Sequence, residues 1–354
     1  MKTISRYLTR QILGGLVLAA IALLPLFAFM DLLEQLENVG EGTYEIGDAF
    51  AYVALLLPRR LIQLAPFIAL LGNVIALGRL AMHHELISLR AAGLSPARVG
   101  LESLRVGLIL VVIMVLLEQF VAPPLQQQAI LKRSAALEQS TELGRDLGIW
   151  SRDESNILRV GRMPHTNRAL DIEILRFDSF GLMENYIHAE RADIVNRDRW
   201  MLRGVTIKQI DGQSVESEQR VSMSWEPFLD AGQIETLTKP PESLSPTELF
   251  RHVRFLRNTG QEAEAYSLAM WRKLGAALTT IAMMLLSVPF VFGSVRTGLG
   301  ARVVLAGLSG IAVYLLDQII ANTGLLLNMN TAVIALMPGA LLILLAVILL
   351  RRVA

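Results

Sequence analysis

Six stretches of this chain are too long and too apolar to lie in water. About 20 apolar residues in a helix cross a hydrocarbon layer of ~30 Å, where each backbone polar group must be satisfied within the protein. Residues 12–30 hold no charge. Residues 61–77 are uncharged, with an apolar lead-in at 49–58. Residues 99–122 are apolar, with Glu102, Arg105 and Glu118 near the ends. Residues 274–295 and 331–350 are uncharged, and 303–316 run on past Asp317 to Ala321. Three spans precede a long polar segment and three follow it. Residues 1–10 carry Lys2, Arg6 and Arg10 ahead of the first run, as a signal peptide would. That run is too long for a signal core and ends in Phe27-Ala28-Phe29-Met30, without a small-residue cleavage site, so it reads as a retained helix.

The short loops give an orientation, because Lys and Arg concentrate on the cytoplasmic side. The N-terminus, the second loop (Arg79, Arg90, Arg98), the fourth (Arg296, Arg302) and the C-terminus (Arg351, Arg352) are basic. The first loop, 31–48, has six acidic residues and no basic one, and the fifth, 322–330, is uncharged. Both ends are therefore expected in the cytoplasm and the central segment outside it.

That segment divides the chain into 1–125, 126–270 and 271–354. Leu170, Ile172 and Ile174 alternate with Asp171 and Glu173, and Val221, Met223 and Trp225 alternate with Ser222 and Ser224. Turn candidates fall at 178–181, 196–198 and 211–212. Short strands divided by turns predict an antiparallel sandwich or jelly roll over about 144–238. Helices flank it. One runs over 126–142. Another starts at Ser245-Pro246-Thr247-Glu248, where Ser caps and Pro occupies the first turn. It reaches about Asn258 and Gly260 breaks it, before a further helix leads through Trp271 into span four. The expected fold is thus an α-helical membrane protein with six transmembrane helices (3+3) and an inserted all-β, jellyroll-like periplasmic domain.

Catalytic patterns are missing. The sequence has no GxxxxGK[ST], GxSxG or HExxH, so no P-loop, nucleophile elbow or zinc helix is encoded. A net charge of +1 gives no support to a nucleic-acid partner. Without cysteine there is no disulfide, thiolate ligand or cysteine nucleophile. His83 and His84 are adjacent and cannot share one helix face as an i, i+4 metal pair does, so they read as a solvated or interfacial pair. No residue is assigned a catalytic or metal role.

The ionisable groups of the spans lie near their ends rather than at midplane, where an ion-coupled carrier would place them. Glu118 and Asp317 read either as interfacial groups or as gate contacts with a neighbouring subunit. In the second loop, 80–90 is a short amphipathic stretch that Gly93 can end, and Ser95-Pro96 can start span three. It reads as a coupling helix of about 80–92, of the kind that passes ATPase motion to a permease, or as an ordinary basic interfacial helix.

Gly78-Arg79-Leu80-Ala81-Met82-His83-His84-Glu85-Leu86, followed by Arg90-Ala91-Ala92-Gly93-Leu94-Ser95, resembles the LptF/LptG permease family over nearly the whole chain. Glu34-Gln35-Leu36, Gly40-Glu41-Gly42-Thr43-Tyr44, Gly148-Ile149-Trp150-Ser151-Arg152-Asp153 and Tyr314-Leu315-Leu316-Asp317-Gln318 resemble its LptG side. The resemblance implies six spans with a periplasmic β-jellyroll between the third and fourth. It implies an LptF partner, a dimer of the ATPase LptB holding ATP and Mg, delivery to LptC, and lipopolysaccharide as cargo. No cofactor is expected in this chain. Glu85 matches the family's coupling glutamate, with Arg79, Leu86 and Arg90 around it. Arg59 and Arg133, with Lys132 beside the latter, match positions that bind the lipid's phosphates, although arginines there also snorkel to headgroups. Two positions depart from the pattern: Asp31 stands where members carry lysine, and Ile130 at another basic position. Either the phosphate contacts are redistributed or a divalent cation bridges Asp31 to the ligand. Asp31, Asp317 and Glu118 are the candidate gate or interface residues.

The transport problem fits this reading, since each acyl CH₂ drawn from a bilayer costs ~0.8 kcal/mol unless an apolar path continues. Spans one, two and five would supply the lower wall. Ile172, Ile174, Val221 and Met223 would line the upper path, or else a closed sandwich core. The rivals are a lipoprotein-release permease, which would have fewer spans, a membrane receptor or scaffold, and an intramembrane enzyme.

Overall fold

The computed structural model describes residues 2–353 except 92, 94, 139–148, 153–154, 166–167, 179–181, 197–198, 212–213, 227–239, 259–262, 293–297 and 328. The chain forms two compact units. One comprises Met1–Ser140, Ser245–Thr247 and Ser267–Ala354, the other Thr141–Leu244 and Glu248–Tyr266. Gly260, Arg296 and both ends of the expected strand region lie outside the described residues.

The helices are α1 (Lys2–Leu36), α2 (Ile46–Met82), α3 (Glu85–Ala91), α4 (Pro96–Leu116), α5 (Ala122–Glu138), α6 (Pro246–Asn258), α7 (Glu264–Phe292), α8 (Leu299–Leu326) and α9 (Thr331–Val353). A π-helical turn, Leu117–Val121, joins α4 to α5 without a break. Among the described residues six helices are long and apolar enough to cross a membrane, and each falls on one of the apolar runs of the sequence. The first, second, third and fifth of these extend beyond their runs at both ends, while α7 is described to Phe292 and α9 begins with its run at Thr331. Helix α2 begins at Ile46 and passes through Pro58 and Pro66, so Arg59 lies well inside it rather than at its start. Proline is tolerated there because neighbouring helices and local backbone adjustment re-satisfy the freed carbonyls.

Between lipid-facing helices the driving force is close packing, which small residues permit. Gly15 and Gly72 bring α1 and α2 together, and Gly275 of α7 rests on the Ala335 carbonyl of α9. Ile12, Leu16, Leu64, Ile68, Leu70, Val74, Met283 and Met284 form the main core. Within it the fully buried Asn73 donates its Nδ2 to Ser103 Oγ (3.0 Å), Ser287 Oγ (2.6 Å) and the Met284 carbonyl (3.2 Å). One fully buried amide thus ties α2 to α4 and α7.

The stretch 80–92 is not one helix. His83 caps α2, and His84 takes a left-handed φ of 57° before α3 begins at Glu85. The reversal separates Leu80 and Met82, on α2, from Leu86 and Arg90, on α3. Gly93 (φ 89°) receives the chain after α3, its N–H donating to the Arg90 carbonyl at 2.9 Å. Ser95 then caps α4 by accepting from Arg98 N–H, with Pro96 in the first turn.

The second unit carries an all-β insert: β1 (Ile149–Arg152), β2 (Asn156–His165), β3 (Arg168–Phe177), β4 (Met183–Asn196), β5 (Arg199–Asp211) and β6 (Ser214–Trp225). All pairs are antiparallel and the spatial order follows the chain. Among the described residues the connectivity is therefore a meander, without the crossovers of a jelly roll. One sheet still encloses a core because its alternation reverses along a line. Ala169 is buried, then Ile172 and Ile174; Ile187 and Ala189, then Ala192; Trp200 and Leu202, then Val205. At each reversal stands a residue left out of the pairing register. Asp171 (φ 53°) and Gly204 (φ 64°) are two of them, with Gly161 and Glu190 against them.

That line corrects two sequence expectations. Leu170 does not share the buried face of Ile172 and Ile174, because Asp171 shifts the phase. Val221 is 90% exposed, since Arg203 pairs Ser222 and Val205 pairs Arg220, leaving Val221 opposite the left-handed Gly204. Trp200 and Trp225 meet edge to face at 5.7 Å in the core, and Phe255 of α6 packs against the same cluster.

Candidate functional site

The α2–α3 reversal holds one candidate site. Leu86 inserts into a core of Leu8 from α1, Leu77 and Leu80 from α2, Val99 from α4, and Val288, Val291 and Phe292 from α7. Glu85 Oε2 accepts from the Tyr7 hydroxyl at 2.6 Å, the short distance typical of a charge-assisted bond. The guanidinium of Arg90 lies 5.7 Å over the Phe292 ring. Arg79 is exposed on the last turn of α2. Four residues picked out in sequence thus gather at one turn, with α3 keyed into the helices by its inner face. Its outer side presents Ile87, 57% exposed, and the adjoining end of α2 presents Met82, 51% exposed.

At the opposite ends of the spans, charged groups pair across helices. Asp31 of α1 is held on both oxygens by Arg60 of α2, through Nε at 2.6 Å and through Nη2. Arg60 also donates to Gln63. Glu118, set in the π-helical turn, accepts on Oε1 from Arg59 Nη1 (2.9 Å) and from Lys273 Nζ of α7. Arg272, next to Lys273, reaches Asp317 of α8 at 3.0 Å. Two dibasic pairs, Arg59-Arg60 and Arg272-Lys273, each send one cation to Glu118 and the other to a flanking span. Three carboxylates and four cations so link α1, α2, the π-helical turn, α7 and α8. The Glu118 group is the most enclosed, with side-chain exposures of 15% for Arg59, 7% for Glu118 and 11% for Lys273.

Each expected gate residue therefore has a partner within this chain. Arg60 neutralises Asp31 where a divalent cation was one expectation. The phosphate-binding candidates are separate groups. Arg59 is engaged with Glu118. Arg133 of α5 lies 5.9 Å over the ring of Tyr52, two turns before Arg59 on α2, and Lys132 beside it is exposed. The loop before α2 reaches the same part of α5, where Thr43 N–H donates to the Ala136 carbonyl at 2.9 Å. Among the described residues no three His, Asp or Glu side chains assemble as a metal set. Sequence reading missed Tyr7, Arg60, Arg272, Lys273 and Asn73. A usable signal existed for the cations: an acid near the end of a span calls for a basic partner at matching depth on another span.

Six spans in two sets of three, an all-β insert between the sets, and a short helix keyed across one end of the spans define a membrane permease. The profile of the lipopolysaccharide export system permease family LptF/LptG matches residues 6–352, and the chain belongs to that family. It is 31% identical over 345 residues to the lipopolysaccharide export system permease protein LptG of Haemophilus influenzae, covering 97% of this chain and 96% of that protein. To the LptG protein of Escherichia coli strain K12 it is 28% identical over 352 residues, covering 99% and 98%. The chain is accordingly an inner-membrane transport subunit.

Proposed function

We propose that this chain is the LptG-type permease of an ATP-driven lipopolysaccharide exporter, paired with an LptF-type permease. Family membership makes it a lipopolysaccharide export permease subunit. In the finer reading a dimeric ATPase of the LptB kind, carrying the ATP and Mg, docks on α3 and the end of α2. Glu85 is its main contact, with Arg79 and Arg90 beside it, and Leu86 passes displacement inward. Both termini then face the cytoplasm and the β insert faces the periplasm, an orientation supported by the Lys and Arg bias of the loops. Arg59, Lys132 and Arg133 serve the phosphates of the lipid, and LptC receives the cargo above the membrane. No cofactor is assigned to this chain.

The observation that carries the reading is the two-sided character of α3. Leu86 is buried among residues of α1, α2, α4 and α7, while Ile87 and Met82 stand exposed beside it. A short helix built this way offers a surface to a partner and a rigid contact to the spans behind it. The test is affinity purification of a tagged chain from its native membrane, with ATPase assay of the wild type and of Glu85→Ala. A second six-span permease and a small ATPase should co-purify, and turnover should be lost in the variant while the complex persists. A chain isolated without an ATPase would sink the reading and favour a receptor or scaffold.

A further inference from the structure

The expected role of Glu85 requires its carboxylate to be held in one direction. A glutamate in the first turn of a seven-residue helix has three rotatable bonds, so its carboxylate is not fixed by the backbone. The only hydrogen bond given to its carboxylate among the described residues comes from Tyr7, on the first turns of α1. Tyr7 and Glu85 are distant in sequence, and nothing in the coupling-helix motif itself supplies this contact.

The surroundings fix the first turns of α1 beside it. Leu8, next to Tyr7, is fully buried against Leu86, Leu80 and Val99. Ser5, two residues earlier and on another side of the helix, donates to Glu102 Oε2 of α4 at 2.8 Å. Glu102 Oε1 in turn accepts from Arg105 at 2.6 Å. The first turns of α1 are thus fastened to α3 on one side and to α4 on another. The helix then runs for 35 residues, about 52 Å at ~1.5 Å per residue. Near its far end Asp31 is gripped by Arg60. Tyr7, through Glu85, and Leu8, in one core with Leu86, are where the first turns of α1 meet α3.

We infer that Tyr7 is a positioning residue for the coupling glutamate: its hydroxyl orients the Glu85 carboxylate toward the ATPase and ties the movement of α3 to α1. The inference rests on the proposed role of Glu85 as the ATPase contact. It adds a residue outside the coupling helix and names α1 as the first span to receive the motion.

The experiment is a double-mutant cycle in the complete permease–ATPase complex, with ATP turnover and lipid released per ATP measured for wild type, Tyr7→Phe, Glu85→Gln and the pair. Tyr7→Phe keeps the ring and deletes only the hydroxyl, so assembly of the complex serves as its folding control. Lipid released per ATP should drop on the order of tenfold in Tyr7→Phe, the effect of one hydrogen bond to a charged group. Glu85→Gln weakens the bond the tyrosine hydroxyl donates, so Tyr7→Phe should cost less in that background than in wild type. Wild-type output from Tyr7→Phe, with Glu85→Ala impaired, overturns the inference and leaves the role of Glu85 standing. Independent, multiplicative losses in the pair also overturn it, since Tyr7 would then act apart from Glu85. Full activity in Glu85→Ala removes the underlying reading of α3 itself.

Discussion

Gly15 of α1 and Gly72 of α2 approach so closely that a Cβ on Gly15 would stand 2.2 Å from the Gly72 carbonyl oxygen and 2.8 Å from the Ala76 methyl. The obstacle is backbone, which cannot rotate aside. Gly15→Ala should therefore force α1 away from α2 and lower stability by about 1–3 kcal/mol, the usual range for overpacking. Its neighbour is the control. An added Cβ at Gly14 meets nothing within 4 Å, so Gly14→Ala should be neutral or slightly stabilising through helix propensity. Thermal unfolding of the two variants in the same detergent checks the contrast, and equal midpoints would refute the close crossing.

Glu118 offers a sharper test of the charged belt. It is the one carboxylate that both dibasic pairs share, and it is nearly closed off from solvent. Glu118→Ala leaves Arg59 and Lys273 together without their common anion, a loss of about 3–5 kcal/mol if the site behaves as a broken buried pair. Replacing the lysine as well, as Glu118→Ala with Lys273→Met, should recover part of that loss. The opposite order, a double variant weaker than Glu118→Ala alone, would show that Lys273 stabilises mainly through other contacts. Expression level and thermal midpoint of the three proteins decide between these.

The spans were legible because an uncharged run of this length has few alternatives to a membrane helix, and the insert because alternation and turn residues recur between them. The α2–α3 reversal was half legible. Gly93 and Ser95-Pro96 marked the exit, but the entrance depends on His84 adopting a left-handed conformation, which histidine does not announce. Partners were not legible. Whether Glu118 meets water, a neighbouring subunit or Arg59 and Lys273 depends on which helix faces which. The strands show the same limit. Their alternation was readable over a few residues, yet a row of unpaired positions, with Asp171 and Gly204 at positive φ, reverses it in mid-strand.

Gly204 can be tested on its own. Its φ of 64° is a conformation that costs an L-residue about 1–2 kcal/mol, and a Cβ would stand 2.8 Å from the carboxyl carbon of Glu190. Glu190 is exposed and can swing away, so the backbone term should dominate. Gly204→Ala should lower the unfolding midpoint of the β insert, followed through the fluorescence of the buried Trp200. Adding Glu190→Ala should restore little. A large rescue by the second change would mean that the side-chain clash, and not the left-handed backbone, was the obstacle.

His252 makes the stability of the second unit depend on pH. It is buried on α6, its ring edge to face with Tyr266 at 4.5 Å, and burial holds its pKa below the ordinary histidine value. The unfolded chain takes up a proton near pH 6.5, whereas the folded unit resists until lower pH. Between those two values the unfolded state binds more protons, so stability falls as pH falls through that window. Above about pH 6.5 both states are neutral at this site and its contribution is constant. Trp200 fluorescence should report a lower unfolding midpoint at pH 5 than at pH 7.5, with a smaller difference in His252→Phe, which preserves an aromatic ring against Tyr266 and removes the titrating nitrogen. The same pH response in both proteins would place the acid sensitivity elsewhere, for instance among the carboxylates of the sheet, where Asp193 lies 2.8 Å from Arg203 and Glu173 lies 3.2 Å from Arg159.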